Sequence, residues 1–119
     1  MRTVEQLRAA RSRPLSTGAM TDAEVAAQLQ VLPGWSVEGG AIARTFRFSG
    51  YLETIAFVNA VAWVAHTEDH HPDLAVGYGR CEVRFNTHSV GGISANDFIC
   101  AAKVDALYAQ RVVAPGAGA

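Results

Sequence analysis

Residues 66–88 read H-T-E-D-H-H-P-D-L-A-V-G-Y-G-R-C-E-V-R-F-N-T-H. The hydrophobic period changes inside this window, and that change sets the order of elements around it. Up to about Thr67 the apolar spacing is helical. His70-His71-Pro72 ends it, because proline disfavours the α region for the residue before it, so His71 is expected to be extended. Leu74, Val76 and Tyr78 then alternate as a strand, and Gly79-Arg80 fits a two-residue turn. Cys81, Val83, Phe85 and Thr87 form one face of the next strand, with Glu82, Arg84, Asn86 and His88 on the other.

The same alternation of helix and hairpin extends in both directions. Upstream, Tyr51 to about Thr67 has a helical pattern, and within residues 55–65 only Asn59 is polar. A surface helix normally keeps a polar face. This one is expected to cover the sheet on one side and meet another chain on the other. Before it, Trp35 and Val37, a Glu38-Gly39-Gly40 turn, and Ile42, Phe46 and Phe48 read as a first hairpin, with Arg44 interrupting its apolar face. Thr21 and Glu24 make a T-x-x-E capping box, followed by Val25, Leu29 and Leu32 on one helical stripe and by the breaker Pro33-Gly34. Downstream of Gly91-Gly92, Ser94 and Asp97 open a last helix carrying Cys100, Val104 and Leu107. The order is α-β-β-α-β-β-α, an α+β domain with a four-stranded antiparallel sheet and helices packed on one face.

This domain is expected over residues 20–112. Residues 1–19, with Arg2, Arg8, Arg11, Arg13 and a breaker cluster from Pro14 to Gly18, read as a flexible leader. Two readings stay open for it: an authentic flexible arm, or a stretch upstream of a natural start at Met20. Residues 113–119 read as a disordered tail.

The chain has 119 residues, half of them hydrophobic, which fits one domain with its own core. A formal net charge of -1 supplies no basic field for nucleic acid or anionic lipid. Cys81 and Cys100 form no CxxC and suit two buried thiols in a reducing compartment. No apolar run reaches the roughly 20 residues needed to span a bilayer, and the cytoplasm is the default location.

All four histidines, His66, His70, His71 and His88, lie in the opening window. Histidine gives and takes protons near neutral pH, so a domain that concentrates its supply there points to proton chemistry. Strand alternation puts His88 on a polar face with Arg84 and Asn86. His70 and His71 share a helix-to-strand junction, whose bend could direct both into one pocket. His66 and His70 make an H-x-x-x-H pair that, with Asp69 or His88, could hold a metal, although the Glu of H-E-x-x-H is missing. Asp97 suits the N-terminus of the last helix and, alternatively, the orientation of a histidine.

E-D-H-H-P-D, Y-G-R-C and N-T-H-S-V-G-G-I-S-A-N-D together resemble the pterin-4a-carbinolamine dehydratase family, over about residues 21–110. The chain supplies its His-His-Pro (residues 70–72), an aromatic residue (Tyr78), Thr87-His88 and Asp97 in order, and its G-W-x-x-x-G opening at Gly34-Trp35 to Gly39. The resemblance implies dehydration of 4a-hydroxytetrahydropterin to quinonoid dihydropterin, without metal or organic cofactor, by a homodimer or homotetramer assembled through helix 51–67 and sheet edges. It implies His70, His71 and His88 as catalytic histidines, Asp69, Asn86, Thr87 and Ser89 as pterin-lining residues, and Asp97 in support. Two positions depart from the family pattern: Leu74 stands where a tryptophan is frequent, and His66 where a glutamate is frequent.

Under this reading one imidazolium donates to the departing hydroxyl and a neutral imidazole accepts the ring proton. His70 and His88 are assigned these transfers and His71 mainly binding. Two competing readings are a non-enzymatic dimerisation module, since the family also includes a protein that stabilises transcription-factor dimers, and a metal-binding protein built on the histidine cluster.

Overall fold

The computed structural model describes residues 1–111; the expected tail at 113–119 lies outside the described residues. Its element order is α1 (Val4–Ala9), α2 (Asp22–Leu29), β1 (Ser36–Glu38), β2 (Ala41–Arg47), α3 (Tyr51–Glu68), β3 (Asp73–Val76), β4 (Arg80–Phe85), a 3-10 turn (His88–Val90) and α4 (Ala95–Ala109). The sheet is antiparallel in the order β1-β2-β4-β3, so two sequence-local hairpins meet along β2 and β4. The expected α+β architecture is therefore present, with one helix more than expected.

That helix is α1, inside the segment read as a flexible leader. Thr3 caps it, and Gln6 returns the bond in a full capping box. Leu7 is 1% exposed and joins the core, with Val4 and Ala10 packed beside it. Thus Val4, Leu7 and Ala10 tie residues 4–10 to the domain by burial, which outweighs the arginines around them.

The core lies between the sheet and α3 and α4. Ile42 and Phe46 from β2, and Cys81, Val83 and Phe85 from β4, point into it, each at most 1% exposed. Phe57 and Val61 of α3, and Phe98, Ile99 and Val104 of α4, close it. Arg44, the interruption in the apolar face of β2, has a specific partner. Its Nη1 donates to Asp105 Oδ1 at 2.8 Å, and Trp35 Nε1 donates to the same oxygen at 2.9 Å. The guanidinium also lies 4.4 Å from the centre of the Phe46 ring.

The β3–β4 turn is shifted by one residue from expectation. Gly77 N–H donates to Arg80 O at 2.8 Å, leaving Tyr78-Gly79 at the centre, because Arg80 is already paired with Arg47 in the β2–β4 ladder. Tyr78 therefore sits in the turn and not in the strand. His88, expected at a strand end, opens the 3-10 turn instead, since β4 stops at Phe85.

Candidate active site

The helix-to-strand junction is built from the backbone outward. At the end of α3, Asp69 takes a left-handed conformation, φ 50° and ψ 44°. Aspartate tolerates this region better than most residues. Asp69 N–H donates to His66 O and His70 N–H to Ala65 O, the two bonds of a Schellman ending. The chain thus reverses at Asp69 and directs the His70 ring inward, where it stacks on Phe85 at 5.9 Å with 9° between planes.

The opposite wall is the start of α4. Ser94 caps the helix, and Asp97 completes the capping box through Oδ2, which accepts Ser94 N–H at 2.8 Å and the Thr87 hydroxyl at 2.9 Å. Thr87 and Ser94 hydroxyls are themselves 2.7 Å apart. The other oxygen, Oδ1, lies 2.5 Å from His70 Nε2. The side chain of Asp97 is fully buried and that of His70 is 12% exposed. The carboxylate therefore contacts both the helix cap and the imidazole. Since a carboxylate only accepts, Nε2 is the donor in this bond, and in the corresponding neutral tautomer Nδ1 is the acceptor.

A cavity of about 230 Å³ opens beside this pair, lined by Asp69, His70, Thr87 and Ser89 among others. Those four are all sequence-expected site residues. His71 and His88 are exposed, and neither they nor the half-buried Asn86 line the cavity. Leu74 is on the edge strand, 37% exposed, and does not line it either.

The H-x-x-x-H pair does not form. The His66 ring packs against Trp63 at 6.0 Å, while the His70 ring turns to Phe85 and Asp97. Among the described residues, no group of three or more His, Cys, Asp or Glu side chains is arranged to hold a metal ion. Both cysteines are free and buried. Burial pushes the Cys100 thiol up to about 12, with Glu68 and Asp97 adding to the effect, so it is no nucleophile at neutral pH.

Sequence reasoning missed the cavity's remaining lining: Glu68, Asn96 and the segment Ser12 to Leu15. For Asn96 a signal existed, in that it lies two residues after the Ser94 cap, on the first turn of α4. The segment 12–15 carried no recognisable spacing.

A family model described as pterin 4 alpha carbinolamine dehydratase matches residues 18–107. A Bdellovibrio bacteriovorus relative named for pterin-4-alpha-carbinolamine dehydratase is 61% identical over 93 residues, covering 75% of this chain and 78% of its own. A Nitrosospira multiformis relative named likewise is 47% identical over 109 residues, covering 89% and 96%. The crystal structure of a transcriptional coactivator/pterin dehydratase from Brucella melitensis superimposes with a TM-score of 0.73 at 33% identity, covering 76% of this chain and 99% of that one. A pterin dehydratase-like RuBisCO assembly factor of the alpha-carboxysome shares the fold, with a TM-score of 0.53 at 22% identity. With the match spanning both hairpins, the His70 junction and the Asp97 cap, the chain belongs to the pterin-4a-carbinolamine dehydratase family.

Proposed function

We propose that the protein dehydrates 4a-hydroxytetrahydropterin to quinonoid dihydropterin, with His70 as the anchored proton-transfer group. The observation that carries this reading is the His70–Asp97 pair beside a small cavity. Hydroxide leaves carbon 4a with assistance from the N5 lone pair, and the ring gives up one proton, so the net loss is water. His70, held through Nε2, presents Nδ1 as the base. His88 protonates the departing hydroxyl, and His71 binds the pterin. Both are exposed neighbours of cavity residues: His71 follows His70, and His88 lies between Thr87 and Ser89.

Chemically generated carbinolamine tests this activity directly. Water loss accelerated in proportion to added protein supports the reading, and a rate equal to the uncatalysed one contradicts it.

The assembly is part of the same proposal. On α3, Leu52, Ala56, Asn59, Trp63 and His66 form a second stripe at coiled-coil spacing, and all are exposed, Leu52 by 82% and Trp63 by 70%. On the edge strand β3, Leu74 and Val76 pair with Val83 and Cys81 and so face the core side, yet they stay 37% and 42% exposed. Two apolar surfaces of this kind on a small domain favour a homodimer or homotetramer through helix 51–67 and the sheet edge. Light scattering after size exclusion tests this, and a strictly monomeric species at assay concentration counts against it.

A further inference from the structure

Residues 1–17 precede the part of the chain that the family model matches, yet they reach the candidate site. After α1 the chain turns extended at Ala10 and runs across the end of α3 and the start of α4. Two clamps hold it there. The buried Glu68 carboxylate accepts Ser12 N–H at 2.7 Å on one oxygen and Arg11 Nε–H at 3.0 Å on the other, with Lys103 Nζ 3.6 Å away. The buried Asn96 amide accepts Arg13 N–H at 3.1 Å and donates to Arg13 O at 2.7 Å.

Both clamps are adjacent to the chemistry. Glu68 is two residues before His70, and Asn96 is immediately before Asp97. The Asn96 clamp engages only the backbone of Arg13, so it fixes the path of the segment whatever side chain residue 13 carries. Beyond the clamps, Ser12, Arg13, Pro14 and Leu15 line the same cavity as Asp69, His70, Thr87 and Ser89. They add the apolar surface of Pro14 and Leu15 and the charge of Arg13 to an otherwise polar lining.

We infer that the strap Arg11–Leu15 is a binding wall of the pterin site and a determinant of its affinity for pterins. The inference rests on the proposed reading of this cavity. The strap acts on binding and not on proton transfer, since none of its side chains contacts His70 or Asp97 in the hydrogen-bond network. Its removal should therefore raise KM much more than it lowers kcat. A cavity of about 230 Å³, below the roughly 300–1,000 Å³ of ordinary ligand sites, gains most from such a wall, because each enclosing surface is a large share of the contact available.

The test compares the full chain with two variants, using 7,8-dihydrobiopterin as a stable probe. One variant deletes residues 2–15. The other is full-length Arg11→Ala with Ser12→Pro, which keeps α1 and Leu7 in place while removing both strap donors to Glu68. Calorimetry should show binding weakened by at least about tenfold in the deletion, and in the same direction in the double variant. Hydrogen exchange on the full chain should show slower exchange of the residue 12 and 13 amides when the probe is added. Equal affinity in the full chain and in either folded variant overturns the inference. If the full chain itself neither binds the probe nor dehydrates carbinolamine, the underlying reading of the cavity fails, and the strap proposal falls with it.

Discussion

His70 Nε2 and Asp97 Oδ1 stand 2.5 Å apart, joined across 27 positions of chain, while the other oxygen of Asp97 closes the capping box of α4. One carboxylate thus fixes both a helix end and the tautomer of an imidazole. Its removal should damage stability as well as chemistry. Asp97→Ala loses a cap and leaves the buried Thr87 hydroxyl and Ser94 N–H short of an acceptor. A loss of about 2–4 kcal/mol is expected from these two causes. Urea unfolding measures it, as a lower midpoint with an unchanged slope. A change below about 1 kcal/mol would argue that the network contributes little.

Arg44 and Asp105 give a pH-dependent prediction. Burial raises the Asp105 carboxyl above its ordinary value, against the lowering effects of Trp35 and Arg44. For a raised acid the folded chain holds a proton that the unfolded chain releases. Its contribution to stability is therefore fully present below the unfolded value near 3.8 and is lost as pH rises through the folded value. Arg44→Ala removes the cation that offsets this. It should destabilise the fold by about 1–3 kcal/mol at pH 7 and by less at pH 4, closer to where Asp105 takes up its proton. Thermal or urea unfolding at the two pH values decides it; a larger loss at pH 4 would refute the argument.

Gly79 tests the shifted turn. A Cβ built there would lie 2.8 Å from the carbonyl oxygen of Phe48, whose own N–H donates to Gly79 O at 2.9 Å. The contact is with backbone on β2's continuation, so neither side yields easily. Gly79→Ala should cost about 1–3 kcal/mol, as overpacking does. Gly40→Ala, where no heavy atom lies within 4 Å of the added Cβ, separates this clash from backbone strain, because Gly40 has φ 78°.

The thiols should be silent in the native protein. Cys81 and Cys100 are both buried, and burial raises both above the ordinary thiol value. Ellman's reagent at pH 8 is expected to label neither in the folded chain and both in denaturant. Rapid native labelling of either would show that α4 or β4 opens far more readily than its packing implies.

Much of this architecture was legible because its signals are local. Thr21-x-x-Glu24 and Ser94-x-x-Asp97 both form full capping boxes, and alternation placed Ile42, Phe46, Val83 and Phe85 on the buried face. The His-His-Pro break fell where α3 ends. What escaped depended on distance. Thr3-x-x-Gln6 is the same capping pattern, but α1 is six residues long and stands among arginines, so its stability comes from α4 and cannot be read locally. The turn at Tyr78-Gly79 was fixed by the β2–β4 register, which is a long-range property. Glu68, Asn96 and the strap matter to the site only because the fold brings residues 11–15 onto residues separated from them by more than fifty positions.

In the proposed dehydration of 4a-hydroxytetrahydropterin, His70 carries proton transfer. The most direct measurement is steady-state turnover of carbinolamine by the full chain, His70→Ala and His88→Ala, each checked for folding by circular dichroism. Loss of a positioned acid or base should lower kcat at least about 100-fold in each variant, while His71→Ala should mainly raise KM. Near wild-type turnover in both His70→Ala and His88→Ala would contradict the account.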